Sequence, residues 1–504
     1  MGAGSAGCVL AARLSEDPAA KVLLLEAGPD YPDIRDLPLD LKLGQAEGDV
    51  IPGGHLWDLD ARFARGRKPA RLARGKVVGG SSAVNGQVFL RGIPEDFDSW
   101  AAMGATGLDF ETLLPYFRRI ESDLDFHDEW HGNSGPIPVR RYPPDEWLPP
   151  QAAFFEACVA AGFPTDEDAN HPRHTGVAPI PFNNLAGVRQ SVALTHLAPA
   201  RERLNLTIAA NTRVLRFRFT GRRVVAADVR DGYGERTIRA ENFILAAGVI
   251  GSPQLLLLSG VGPGDDLTRL GIGVVSDLPG VGLNLRDHQV VDLTWVGSGE
   301  AWRPPPRAPL LQVALSYSSR STVRNDMKLT VRSRSMDTGV GGAGDATLTM
   351  VPGVYSPAGA GKLSLITADP DEAPQIDFEF LSDGADATRL RDAVRLGLEI
   401  SRHKAFAPWT TRRLGPSEAD VSSDGSLDRW LRSAVRSSQH ACGTCRIGSD
   451  GDPLAVVDPA GRVRGVDNLR VVDASIFPTS VRAHINATTI ALAERMADLV
   501  RNPR

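Results

Sequence analysis

The chain has 504 residues, 42% hydrophobic and 23% charged, an ordinary balance for a globular protein with room for two or three domains. A net charge of -5 gives no electrostatic footing for nucleic acid, and no run of about 20 apolar residues is present to span a membrane. Four cysteines, Cys8, Cys158, Cys442 and Cys445, are too few for a disulfide framework at this size; with no secretory apolar segment evident, a reducing cytoplasm is the expected compartment.

The first element is a turn, Gly2-Ala3-Gly4-Ser5-Ala6-Gly7, followed by an apolar run and by Val22-Leu23-Leu24-Leu25-Glu26. G-x-G-x-x-G opening a helix, with a strand and an acidic residue about 20 positions later, is the fingerprint of a dinucleotide-binding βαβ unit. Its glycines permit a tight turn, close approach of backbone to a pyrophosphate, and helix packing on strand, while the carboxylate accepts from ribose hydroxyls. A glycine-rich turn before any helix would look similar, but here the strand and Glu26 are in register. The opening fails as a myristoylation signal because its sixth residue is Ala6. The strand that normally precedes such a turn is absent ahead of Gly2, so the N-terminus reads as clipped.

Gly75-Lys76-Val77-Val78-Gly79-Gly80-Ser81-Ser82-Ala83-Val84-Asn85-Gly86 is a loop whose backbone N–H groups are free of side-chain obstruction, suited to an anion or a flat ring. Residues 98–125 read as helical and Gly135 to Val139 as extended. Thr207 to Ala209, Val214 to Phe219, Val224 to Arg230 and Glu235 to Arg239 read as a β-meander. Phe243 to Gly248 is a buried-strand pattern, after which Ser252 as N-cap and Pro253 at the first position predict a helix through Leu258. Between 286 and 420, alternating runs at Leu310 to Tyr317, Met327 to Val331 and Lys362 to Thr367 predict an antiparallel sheet, crossed by a helix from Ala385 to Arg402. Gly339 to Gly344 is a glycine-dense insertion with no evident chemistry. The last 65 residues or so return to the opening style, with a strand at Leu469 to Asp473 and a helix from Ala487 to Arg501, so the first and last segments share a domain.

These segments together resemble the glucose-methanol-choline (GMC) family of FAD-dependent oxidoreductases over nearly the whole chain. The motifs are Gly2 to Gly7 with Glu26, Gly75 to Gly86, Gly248-Val249-Ile250-Gly251-Ser252-Pro253-Gln254-Leu255-Leu256, Leu278-Pro279-Gly280-Val281-Gly282-Leu283-Asn284-Leu285-Arg286-Asp287-His288, and His440-Ala441-Cys442-Gly443-Thr444-Cys445-Arg446-Ile447-Gly448 followed by Asp473-Ala474-Ser475-Ile476-Phe477-Pro478. The resemblance implies an α/β fold: a discontinuous Rossmann-like FAD-binding domain (1–100, 205–285 and 440–504) and an α+β substrate-binding domain with an antiparallel sheet (101–204 and 286–439). It implies pyrophosphate at Gly2, Gly4, Ser5, Ala6 and Gly7, AMP ribose on Glu26 beside Ala27, and isoalloxazine beside Val78, Gly79, Gly80, Ser81, Asn85 and Gly86. Further contacts fall to Val214, Ala247, Gly248, Asp473, Ala474 and Asn486. Where some relatives carry a histidine that bonds the flavin, this loop has Val84, so dissociable FAD is expected. A helix starting near Ala487 would turn its positive end to the flavin.

His440 and His484 match the family's active-site pair, and imidazole suits removal of a hydroxyl proton as hydride leaves the alcohol carbon. His440 is the expected base and His484 the partner on the substrate oxygen; the second position in the family is His or Asn, and Asn486 stands close by. A lone histidine is more often a satisfied core residue, but the flanking motifs reverse that reading. Cys442-Gly443-Thr444-Cys445 spells C-x-x-C, yet no fourth ligand with zinc spacing is evident, so no metal is expected. Asp287-His288 is read as structural.

The implied reaction is oxidation of an alcohol to an aldehyde or ketone, with the alcohol and the electron acceptor (oxygen, quinone or another carrier) left open. Short stretches at 121–126, 131–141, 438–440 and 487–489 look similar to the mycofactocin-associated branch, although Ala483 to Asn486 departs from it. A choline-type dehydrogenase is the other reading within the family, and would need an aromatic and acidic cage for a quaternary ammonium. Hydroxynitrile lyase, which keeps FAD without net redox, and a non-catalytic FAD-binding remnant are the readings from other classes.

Overall fold

Two pairs of parallel strands form the floor of the nucleotide half. Val22–Leu25 pairs with Leu206–Ala209, and Phe243–Leu245 with Leu469–Val471. Met1 to Ala3 run between the pairs: Gly2 N–H donates to Leu25 O, while Met1 donates to Ile244 O and accepts from Ala246 N–H, each at 2.8 Å. This computed structural model describes residues 1–43, 53–298, 302, 308–319, 322–333 and 346–502. The glycine-dense stretch 339–344 lies outside them.

Helix Ser5–Leu14 follows the turn directly and buries Ala6 to Ala12. Its small residues let helix Ile485–Arg501 pack alongside, where Arg13 Nε meets the fully buried Glu494 at 2.8 Å. The last helix starts two residues before the expected Ala487 because His484 is still extended, at φ -60 and ψ 135.

An eight-stranded sheet roofs this floor. Its main path runs Thr410–Gly415, Leu293–Gly297, Thr347–Val354, Met327–Arg332, Val313–Tyr317, Gly176–Pro179, with Gln289–Val290 bridging Thr347–Val354 to Arg436–Ser437. Every residue of Thr347–Val354 is buried, so this strand is covered on both faces. Helix Gly384–Ser401 supplies one cover, through Leu390, Ala393, Val394, Gly397 and Leu398, the spacing of an amphipathic stripe. Each fully buried Leu or Val in it contributes about 1.5–3 kcal/mol.

Four local expectations are corrected. The meander keeps three strands, Arg213–Thr220, Arg223–Asp231 and Gly234–Ile238; the run at 207–209 joins the parallel floor instead. The predicted helix over 98–125 is two helices, Pro94–Ala102 and Phe110–Ile120, and its end is a strand, Glu121–Asp123. Gly104 and Gly107 break it, holding φ of +98° and +77°, values no α-helix accommodates. The helix assigned to Ser252 starts at Gly248, with Pro253 in its interior. The carbonyl that Pro253 cannot serve, Val249 O, accepts instead from Thr444 Oγ1 at 2.7 Å, which replaces the hydrogen bond an internal proline forfeits. Lys362–Ser364 pairs with Gln375–Asp377 outside the large sheet.

Candidate active site

Floor and roof enclose a cavity of about 370 Å³ that runs from the Gly2–Gly7 turn to the two histidines. Gly2, Gly4, Ser5, Ala6, Glu26, Ala27, Gly80, Ser81, Asn85, Gly86, Val214, Ala247, Gly248, Asp473, Ala474, His440, His484 and Asn486 line it. Gly7, Val78 and Gly79 stand behind that surface. A Cβ on Gly7 would lie 1.8 Å from Gly2 O, so the helix reaches the turn only as glycine; Gly79 N–H holds Ala3 O at 2.7 Å. Gly80 and Gly4 press the second loop on the first, since a Cβ on Gly80 would come within 2.5 Å of Gly4 Cα.

The nucleotide end fits FAD. Gly4 caps helix Ser5–Leu14 without a side-chain bond, leaving the first N–H groups of that helix open for a pyrophosphate. Glu26 is fixed by Ala3 N–H and Gly28 N–H, both at 2.9 Å, and burial pushes its pKa up. Asp473 accepts from Gly248 N–H at 2.9 Å and Ser475 N–H at 2.8 Å, tying two elements of the floor together. Asn486 Oδ1 accepts from Ser5 Oγ at 2.8 Å, while its Nδ2 is buried without a partner among the described residues.

At the other end the rings of His440 and His484 lie 4.4 Å apart at 67°, while Asn486 is turned to Ser5. Asp287 and His288, expected to be structural, both contact His440. Asp287 accepts from His440 N–H at 3.0 Å, and His288 Nδ1 lies 2.9 Å from His440 Nδ1. His288 Nε2 is 2.9 Å from Val481 O, an atom that only accepts. His288 therefore carries its proton on Nε2, its Nδ1 accepts, and His440 carries its proton on Nδ1. The Nε2 of His440 is left as a bare lone pair. Tyr355 stacks on His288 at 4.1 Å and fixes its plane.

Burial, reinforced by the neighbouring cations and imidazoles, holds His440 and His484 well below the ordinary histidine value, and burial pushes His288 down to about 3. All three are neutral at physiological pH. The C-x-x-C pair is buried and free, with burial raising Cys442 to about 12, so neither is a thiolate. Among the described residues, the one group with metal-like ligand spacing is Glu121, Asp123 and His131, remote in kind from this site: Arg91 and Arg141 already occupy its carboxylates.

Sequence reasoning missed Arg74, Arg332 and Gln439, which also line the cavity. Arg74 sits one residue ahead of the glycine loop and donates to Gln439 Oε1 at 3.1 Å, a contact across 365 positions that no local pattern signals.

The family model for GMC oxidoreductase matches residues 1–290, and a second GMC oxidoreductase model matches residues 357–493. The chain is 36% identical over 530 residues to human mitochondrial choline dehydrogenase, covering 99% of this chain and 89% of that protein. It is also 36% identical over 537 residues to 5-(hydroxymethyl)furfural oxidase of Methylovorus sp., covering 99% and 97%. Among solved structures, pyridoxine 4-oxidase from Mesorbium loti superposes with a TM-score of 0.91 at 31% identity, covering 100% of this chain and 98% of that one. Since both models match in order and the relatives align over most of their length, the chain belongs to the GMC oxidoreductase family and is an FAD-dependent alcohol oxidoreductase.

Proposed function

We propose that His440 is the general base of alcohol oxidation and that His484 binds the substrate oxygen beside it. The bare Nε2 of His440, fixed by the chain His440 Nδ1 to His288 to Val481 O, carries this reading. A hydroxyl presented there donates into the lone pair and gives up its proton as the carbon loses hydride, and the imidazolium so formed keeps its acceptor on His288. His484 Nδ1 is buried without a partner. FAD, when bound, supplies the hydride acceptor at flavin N5. His484 is the N-cap of helix Ile485–Arg501 and makes no capping bond, so the unpaired N–H groups of that helix favour negative charge in the cleft.

Val84 offers no side-chain nucleophile in the glycine loop, which supports dissociable FAD. The parallel strand pairs of the floor and the eight-stranded sheet fall on opposite sides of the division into a cofactor domain (1–100, 205–285, 440–504) and a substrate domain (101–204, 286–439). No described helix is long and apolar enough to cross a membrane, and a reducing cytoplasm is the compartment this reading assigns.

Small polar alcohols of the kind named in the relatives, choline, 5-(hydroxymethyl)furfural and pyridoxine, are the first panel to mix anaerobically with the yellow holoenzyme. Bleaching of the flavin is expected with at least one, and His440→Ala is expected to keep the colour while bleaching roughly 100- to 10,000-fold more slowly. Bleaching of the variant at the original rate would overturn the base assignment. Cyanide release from a cyanohydrin without bleaching by any alcohol would make the protein a lyase.

A further inference from the structure

Strand Met327–Arg332 alternates in the usual way, with Met327, Leu329 and Val331 on one face and Lys328, Thr330 and Arg332 on the other. The second face is not turned to water: Lys328 is 5% and Thr330 8% exposed, and the Arg332 side chain 12%. Arg332 lines the cavity together with His440, His484, Leu310 and Leu311. Its Nε and Nη1 are buried without a hydrogen-bond partner. The nearest carboxylate, Asp292, is 3.7 Å from Nη1, but both its oxygens already accept from Arg436, through Nε at 2.9 Å and through Nη2. One carboxylate thus faces two guanidiniums, and a positive charge is left over. Burial lowers Arg332 to about 10, so it remains a cation at neutral pH.

Asp292, shared with Arg436, offsets it only in part. Among the described residues, the carboxylates lining the cavity are Glu26 and Asp473, both committed to backbone N–H groups of the nucleotide end. A guanidinium beside Leu310 and Leu311 that shares its one carboxylate with a second arginine favours an anionic ligand, while it repels a quaternary ammonium.

We propose that Arg332 binds a carboxylate carried by the substrate, so that the preferred alcohol is a hydroxy acid whose CH–OH reaches the histidine pair and whose carboxylate meets the guanidinium. The inference rests on the alcohol-oxidising reading above. In the step itself the carbinol carbon loses hydride to FAD, the hydroxyl proton passes to imidazole, a carbonyl forms, and the carboxylate is unchanged.

The test compares para-(hydroxymethyl)benzoate, its methyl ester and choline as anaerobic reductants of the holoenzyme, and measures benzoate binding to the oxidised holoenzyme by perturbation of the flavin spectrum. The carboxylate is expected to be the best of the three by kcat/KM. Arg332→Leu is expected to lower kcat/KM for the carboxylate about 100-fold more than for the ester, mainly through KM, and to weaken benzoate by a similar factor. Arg332→Lys, which restores the charge without the fork, should recover part of both. Preference of the native enzyme for the ester or for choline, or equal losses on carboxylate and ester in both variants, overturns the proposal. Benzoate binding is read without turnover, so a failure of all three alcohols with tight, Arg332-dependent benzoate binding would count against the alcohol-oxidising reading and not against the anion site.

Discussion

His288 is the most informative residue to change, because it touches the base and not the cofactor. Its ring is fully buried and makes two hydrogen bonds, each 2.9 Å, one to His440 Nδ1 and one to Val481 O. In His288→Leu the Nδ1–H of His440 loses the acceptor it has among the described residues, and a buried donor so orphaned costs about 1–3 kcal/mol. That energy is what holds the proton on Nδ1 and the lone pair on Nε2. With about 1.4 kcal/mol per factor of ten, the competent tautomer, and with it the rate of flavin reduction, should fall roughly 10- to 100-fold. His288→Asn, whose Oδ1 lies near the place of Nδ1, should recover part of the loss. The assay is anaerobic stopped-flow reduction of preparations matched for flavin content, so that misfolding is not read as slow chemistry. Reduction of His288→Leu within about twofold of the native rate, at full flavin content, would refute the tautomer argument.

Two further outcomes follow from other parts of the molecule. Gly7→Ala places a Cβ 1.8 Å from Gly2 O and should abolish FAD retention, seen as a colourless protein, whereas Gly54→Ala, where a Cβ meets nothing within 4 Å, should stay yellow. In His131, burial opposes the charged form, but hydrogen bonds to Asp123, Asp168 and Glu121 outweigh it and raise the pKa to about 11. A histidine raised above its unfolded value of about 6.5 stabilises fully below that pH and loses its contribution as the pH climbs toward the folded value. The Tm should therefore fall between about pH 7 and 10, and more steeply than in His131→Gln; parallel pH dependence in the two proteins would disprove the linkage.

What the sequence discloses is what is fixed locally. The Gly2–Gly7 turn, Glu26 and the glycine loop are readable because backbone approach to a pyrophosphate imposes residue types at set spacings. The histidines are readable from their flanking motifs. Partner choice is not: Leu206–Ala209 looks the same whether it joins a meander or a parallel floor, since four extended residues do not record which neighbour receives their hydrogen bonds. His288 acts across 152 positions, and the proton position that matters is set by a carbonyl at Val481. Arg332 is concealed by the alternation itself, for Lys328, Thr330 and Arg332 read as the wet face of a strand until the sheet is folded over a cofactor domain. The internal Pro253 becomes legible only once Thr444 is seen supplying the missing donor.

The bond between Ser5 and Asn486 joins residues 481 positions apart at the wall of one cleft. Translation delivers the two ends of that contact at opposite moments, so the pyrophosphate turn emerges from the ribosome long before the helix that completes its surroundings. That wall of the cleft is therefore completed late, and a nascent chain stalled before residue 485 is expected not to retain the vitamin-derived ligand however well its opening turn has folded.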